Sequence, residues 1–184
     1  MLANKISYHL DLRGPSIPVD TACSSSLTAL HLAVQSLRTG DCEAAIVGGC
    51  QLNLRLADFV QYSQGSLLAP DGKCKPFDAD ADGFSRGEGA VVIVLKPYDD
   101  AIRDADHIYG VILGTGINAS GSVAPAYAPV ANAQMEAMLR AYQGTGKDPR
   151  DVDFVELHAT GTAAGDPTEC NWVGENFGRD SELL

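Results

Sequence analysis

V-D-T-A-C-S-S-S-L at residues 19–27 is where an extended, partly apolar stretch gives way to a helical pattern, and Cys23 sits at the change. Upstream, residues 16–22 (SIPVDTA), opening at Ser16 and closing at Ala22, fit a short strand. Downstream, Leu27, Leu30, Val34 and Leu37 recur at helical spacing, which predicts a helix over 24–39 with Gly40 placed to end it. The first turn of a helix carries N–H groups without intrahelical partners and a partial positive charge. A thiol at such a place ionises more readily, and the same N–H groups can donate to an oxyanion. Ser24, Ser25 and Ser26 are small enough to let a ligand approach. The local pattern alone fits a buried structural cysteine as well, because free cysteine is among the most buried residue types.

Working outward, A-A-I-V-G-G at 44–49 is a continuous apolar run that reads as a buried strand, and E-G-A-V-V-I-V-L-K at 88–96 is the clearest strand, closed by Pro97. Between them, residues 56–87 are rich in Gly, Asp and Pro and read as irregular. A short helix is expected over 98–105, strands over 108–117 and 153–158, and helices over 131–142 and 168–177. In the first of those two helices Met135, Met138 and Leu139 share a face. Alternating apolar strands and helices predict an α/β fold with a mainly parallel sheet covered on both faces. The only candidate division lies near 97–106.

The chain has 184 residues, 45% of them hydrophobic and 20% charged, enough for one sizeable core. No apolar run reaches membrane-spanning length and no secretory signal is present, so a soluble, cytoplasmic protein is expected. A net charge of −11 argues against nucleic acid and anionic membranes as partners. Cysteines at 23, 42, 50, 74 and 170 are odd in number and form no CxxC pair. Neither a disulfide framework nor a metal site is expected, and most of the five should be small buried hydrophobes.

Five stretches of sequence resemble one family. They are V-D-T-A-C-S-S-S-L at 19–27 with A-N-K-I-S-Y at 3–8 and D-L-R-G-P-S at 11–16 before it, P-F-D-A-D-A-D-G-F-S-R-G-E-G at 76–89, and H-A-T-G-T-A-A-G-D-P-T-E at 158–169. In this order and spacing they resemble the β-ketoacyl synthases, and the 19–27 and 76–89 blocks look more like polyketide synthases than fatty-acid enzymes. The resemblance implies a thiolase-like fold, two related halves in α-β-α-β-α layers, here covering 1–99 and 107–184 and incomplete at both ends. It implies dimerisation through the strand at residues 16–22.

The implied reaction is a decarboxylative Claisen condensation, with substrates carried on the phosphopantetheine of an acyl carrier protein domain, in cis, and no cofactor bound directly. By the resemblance Cys23 accepts the acyl group, His158 stabilises the enolate oxygen, and Thr160 and Thr162 contact the pantetheine arm. Read without the family, His158 at a strand end fits a structural histidine equally well, and the threonines fit ordinary turn hydrogen bonding.

The chain also departs from the family pattern. Ala159 takes the place of the glycine in H-G-T-G-T; if that position needs positive φ, Ala costs about 1 kcal/mol. Nothing after Glu169 matches the family's K-x-N-I-G-H block or its Gly-Phe-Gly-rich gating loop, and Met1 matches an internal position. These departures imply a fragment that, alone, folds poorly and is inactive. They leave a second reading, a truncated non-catalytic relic or scaffold.

Asp78, Asp80, Asp82 and Gly83 imitate the start of a calcium loop, a third reading. However, the twelfth position is Gly89 instead of a bidentate Glu, and a turn with Asp side chains bonding local N–H groups fits better. G-T-G-K at 144–147 lacks the Ser/Thr of a phosphate loop. His9, His31 and His107 read as packing or surface residues, and Arg86 and Glu88 as a pair within the central loop.

Overall fold

The computed structural model describes residues 2–122, 125 and 128–178. Met1 and residues 179–184, the outer edges of the two expected halves, lie outside the described residues. The elements are α1 (Leu2–His9), α2 (Ser25–Thr39), β1 (Ala45–Gln51), α3 (Leu56–Gln64), β2 (Gly89–Leu95), α4 (Tyr98–Arg103), α5 (Ala131–Tyr142), a 3₁₀ turn (Pro149–Asp151) and α6 (Gly165–Phe177). They fall into two compact units. One holds Met1–Gln51 with Gly89–Ile112, the other Leu52–Glu88 with Leu113–Leu184.

In the first unit, β1 and β2 pair antiparallel with Val47 opposite Ile93 and Gly49 opposite Val91. Helix α2 packs on β1, and Val34 and Val47 are the buried residues of those two elements. The approach is close because Gly49 has no side chain: a Cβ there would lie 3.1 Å from that of Ser26. Gly40 ends α2 in the left-handed conformation (φ 78°), with its N–H donating to the Leu37 carbonyl and that of Asp41 to the Ser36 carbonyl. This is the role for which a residue without Cβ suits a helix end.

In the second unit, α5 packs on α6. The Trp172 indole N–H donates to Gln134 Oε1 at 2.6 Å, and Phe177 meets the rings of Tyr142 and Trp172. Gly114 and Gly116 lie against α5, where a Cβ would run into the carbonyls of Ala141 and Ala137. Asn118 Nδ2 donates to the Ala133 carbonyl and Arg140 Nη1 to that of Ile117.

The structure corrects several expectations. The sheet is antiparallel, and among the described residues it has only β1 and β2. It is not covered on both faces, since Val91, Val92 and Val94 are 69%, 62% and 72% exposed. Continuous apolar runs signal burial, not strand direction or partner, so the pattern could not distinguish the two ladders. The apolar segments 108–117 and 153–158 form no ladder, because backbone becomes strand only when a neighbour pairs with it. Residues 16–22 make only an isolated bridge, Thr21 with Cys23. The stretch expected to be irregular contains α3, whose Leu56, Phe59 and Val60 recur at helical spacing but were overshadowed by the surrounding Gly and Asp. Helix α1 was not anticipated. Cys50, Cys74 and Cys170 are exposed and Cys42 is half-buried, so the expectation of buried cysteines fails.

Candidate active site

Cys23 lies in the first unit, exposed, two residues before α2. Its predecessor Ala22 is in the left-handed region (φ 55°), uncommon for a residue with a side chain and the mark of a tightly specified turn. Short-range hydrogen bonds hold that turn. The Asp20 carboxylate accepts from the Ala22 N–H at 3.2 Å. Ser25 Oγ accepts from the Thr21 N–H at 2.8 Å and donates to the Ala22 carbonyl at 2.6 Å. Thr21 Oγ1 lies 2.9 Å from Ser24 Oγ and 3.2 Å from Thr28 Oγ1. Ser24 is the N-cap residue, yet its hydroxyl donates backwards to the Thr21 carbonyl, so no side chain caps α2. The positive end of the helix therefore faces the Cys23 turn without a side-chain oxygen laid across it.

His158, Thr160 and Thr162 lie in the second unit, in one loop that runs into α6. His158 is exposed and the two threonines are half-buried, their hydroxyls 2.9 Å apart. Helix α6 begins at Gly165, a turn earlier than predicted, and Pro167 is tolerated there because a first-turn N–H has no intrahelical partner to lose. Thr162 closes the joint: its Oγ1 accepts from the Gly165 N–H at 3.1 Å and its carbonyl from the Asp166 N–H at 3.2 Å.

Two carboxylates from the start of α6 hold this loop by its backbone. Glu169 Oε1 accepts from the His158 N–H at 2.7 Å and Oε2 from the Ala159 N–H at 2.8 Å. Asp166, 4% exposed, accepts from the Gly161 N–H at 3.0 Å through Oδ1 and from the Phe77 N–H at 2.7 Å through Oδ2. Three of the four donors are in the left-handed region: Phe77 (φ 61°), Ala159 (φ 47°) and Gly161 (φ 71°). Both acids fall within the 158–169 block, yet nothing in the sequence pattern had given them a role. Their i, i+3 spacing was the available signal. Ala159 does adopt positive φ, the condition under which it was expected to cost stability.

The 76–89 block supports the same loop. The Gly83 N–H donates to the Gly161 carbonyl at 2.9 Å. A Cβ on Gly83 (φ 139°) would fall 2.6 Å from the backbone of Leu68 and Ala69, and one on Gly161 would fall 3.0 Å from the Gly83 oxygen. Asp78 bonds the Asp80 N–H at 2.8 Å, the local turn bond expected of this stretch. Asp82 pairs with Lys75 at 2.7 Å. Lys75 is thereby held above its ordinary pKa, chiefly by the bond to Asp82, while the Lys73 N–H holds Asp71 below the usual carboxylate value. Arg86 and Glu88 meet on Asn53, a residue to which the sequence pattern drew no attention. The Asn53 Oδ1 accepts from Arg86 Nε at 3.0 Å, and the Asn53 N–H donates to Glu88 Oε1 at 2.6 Å. The Arg86 guanidinium also covers the Tyr62 ring at 4.6 Å.

A model of the N-terminal domain of β-ketoacyl synthases matches residues 1–101, and one of the C-terminal domain matches residues 109–183. The chain belongs to the β-ketoacyl synthase family. Its sequence is of the kind found in the ketosynthase domains of type I polyketide synthases. It is 61% identical over its whole length to the highly reducing polyketide synthase stpks1 of Strobilurus tenacellus, of which it spans 6%. Over 90% of its length it is 50% identical to the partially reducing polyketide synthase men1 of Menisporopsis theobromae, again spanning 6% of that relative. Among solved structures, the ketosynthase from module 6 of the bacillaene synthase from Bacillus subtilis 168 superposes with a TM-score of 0.92 at 45% identity. That match covers 95% of this ketosynthase segment and 32% of the solved chain. Among the described residues no helix is long and apolar enough to cross a membrane, and no group of three or more His, Cys, Asp or Glu could hold a metal ion.

Proposed function

We propose that this segment carries the acyl-accepting part of a β-ketoacyl synthase that performs decarboxylative condensation in polyketide synthesis. The supporting observation is an exposed Cys23 on a strained turn at the uncapped N-terminus of α2. In the first step the Cys23 thiolate attacks the carbonyl carbon of an acyl thioester. A new carbon–sulfur bond forms, and the phosphopantetheine thiolate of the acyl carrier domain leaves and takes up a proton. A malonyl-type extender then loses carbon dioxide, and the electron pair of the broken carbon–carbon bond passes into the thioester as an enolate. An imidazole N–H of His158 donates to that enolate oxygen. The enolate carbon attacks the acyl-cysteine, the Cys23 thiolate departs, and the β-ketoacyl product remains on the carrier.

Thr160 and Thr162 bind the pantetheine arm through their hydroxyls, which already face each other across 2.9 Å. The chain contributes parts of both halves of a thiolase-like layered fold, residues 1–99 and 107–184. Condensation is an activity of the longer protein, in the cytoplasm, acting with a carrier domain in cis. Residues 16–22, which pair with no strand among the described residues, supply the edge along which two copies associate.

The test uses the complete synthase with a radiolabelled acyl thioester and malonyl carrier. Cys23→Ala should abolish acyl loading, whereas His158→Ala should load normally and lose condensation by at least about a hundredfold. Loading without condensation in the wild-type protein would favour the non-catalytic scaffold instead.

A further inference from the structure

Between residues 16–22 and helix α2 the chain makes one tight turn, and Thr21 commits all of its polar atoms to closing it. Its N–H donates to Ser25 Oγ at 2.8 Å, and its carbonyl accepts from Ser24 Oγ at 2.9 Å. Its hydroxyl lies 2.9 Å from Ser24 Oγ and 3.2 Å from Thr28 Oγ1. A hydroxyl has a single proton, which gives these contacts a direction. Ser24 donates its own proton to the Thr21 carbonyl. Thr21 Oγ1 therefore donates to Ser24 Oγ, and Thr28 Oγ1 donates to Thr21 Oγ1. Thr28 is half-buried on α2, and its N–H donates to the Ser24 carbonyl at 2.9 Å. The chain of hydroxyls thus runs from the body of the helix back across the turn.

Only Ala22 and Cys23 lie between the anchored residues Thr21 and Ser24. Ala22 holds φ 55°, a conformation that is costly for a residue with a Cβ and persists only where surrounding contacts impose it. Without the Thr21 side chain the turn keeps its bonds to the Thr21 backbone and loses both hydroxyl bonds. We infer that Thr21 is a positioning residue for acyl transfer to Cys23: its hydroxyl, backed by Thr28, clamps the strained turn and fixes the direction in which the thiol is presented. This rests on the nucleophile role proposed for Cys23. Thr21 acts through Cys23 and not on the substrate. Acyl transfer needs the sulfur on one line of approach, so a displaced thiol slows the transfer without weakening substrate binding.

The experiment follows single-turnover loading of Cys23 from an acyl thioester by the complete synthase, giving the rate at saturation and the half-saturating concentration. Thr21→Val keeps the shape of the side chain and loses the hydroxyl. Its saturated rate should fall about tenfold, with the half-saturating concentration within about twofold of wild type. Thr21→Ser keeps the hydroxyl and should restore the rate. Thr28→Val removes one of the two hydroxyl bonds and should lose about threefold, and it carries the test if Thr21→Val does not fold. Adding Ala22→Gly to Thr21→Val should recover most of the lost rate, because glycine adopts positive φ without a steric cost and has less need of the clamp.

Wild-type loading in Thr21→Val would overturn the inference. So would a loss that Thr21→Ser repeats, or a rise in half-saturating concentration as large as the fall in rate. Cys23→Ala keeps the two levels apart. If it still loads, the nucleophile role of Cys23 is wrong. If it abolishes loading while Thr21→Val loads as wild type, only the clamp falls.

Discussion

The Cys23 turn and the His158 loop are both strained, and they are held in opposite ways. At Cys23 the ties from Asp20, Thr21, Ser24, Ser25 and Thr28 all fall within nine residues of sequence and are mostly hydroxyl bonds at exposed positions. At His158 the ties are carboxylate-to-amide bonds, one of them crossing 89 residues from Asp166 to Phe77, with a further backbone bond from Gly83 to Gly161. The residue proposed as the nucleophile is specified locally and left open. The loop proposed to stabilise charge is built from distant pieces and partly buried, so it depends on the rest of its unit.

The largest way to break that contrast is Gly83→Ala. A Cβ 2.6 Å from two backbone atoms at φ 139° adds backbone strain and a steric clash together. In the complete ketosynthase it should cost about 3 kcal/mol or more, read as a shift in the urea midpoint. Condensation should fall with the His158 loop while alkylation of Cys23 keeps its wild-type rate. Equal loss of both would show that the turn and the loop are not independently held. Ser25→Ala reverses the test. It removes the hydroxyl that bridges Thr21 and Ala22 and should cost about 1 kcal/mol, changing the alkylation rate of Cys23 without altering KM for the malonyl carrier.

Ala159→Gly sharpens the comparison with a gain. It relieves the positive φ at the cost of a more flexible unfolded chain, so a net stabilisation of about 0.5 kcal/mol is expected, with the Glu169 bonds retained. A destabilisation would mean that the Ala159 methyl group packs usefully.

The smallest effect lies with the exposed ion pairs of the first unit. Lys96 bonds Asp104 at 2.5 Å and Asp106 at 2.7 Å. The Asp104 bond, first, and the Asp106 bond hold Lys96 above its ordinary 10.5, and Lys96 holds Asp104 below 3.8. The Asp104 contribution is full above the unfolded carboxylate value and is lost as pH falls through the lowered folded one. The Lys96 contribution is full below 10.5 and is lost as pH rises through the raised one. Lys96→Met should therefore shift the urea midpoint equally at about pH 5 and about pH 9, with the difference from wild type shrinking only outside that window and in high salt. A difference that changes between those two pH values would contradict the assignment.

The same contrast between local and distant ties separates what was legible in the sequence from what was not. Helix α5 was legible to the residue because Met135, Met138 and Leu139 mark one face, and α2 was legible because Gly40 stops it. Cys23 at a helix start was likewise a local feature. The direction of the β1–β2 ladder was not legible, because V-V-I-V is equally apolar in either kind of sheet. Asp166, Glu169 and Asn53 escaped notice for a related reason: their partners are backbone amides or side chains set by the folded chain, and an acid that bonds backbone looks in sequence like any solvated acid. His158, Thr160 and Thr162 were singled out through a family motif alone, and periodicity gave them no role.

The most direct measurement is peptide mapping by mass spectrometry after the complete synthase meets an acyl thioester. Cleavage after Arg13 and Arg38 releases residues 14–38, in which Cys23 is the only cysteine. If Cys23 is the acyl-accepting nucleophile, the acyl mass appears on that peptide and disappears in Cys23→Ala. Acylation found instead on the peptides carrying Cys42, Cys50, Cys74 or Cys170, or persisting in Cys23→Ala, would contradict that role.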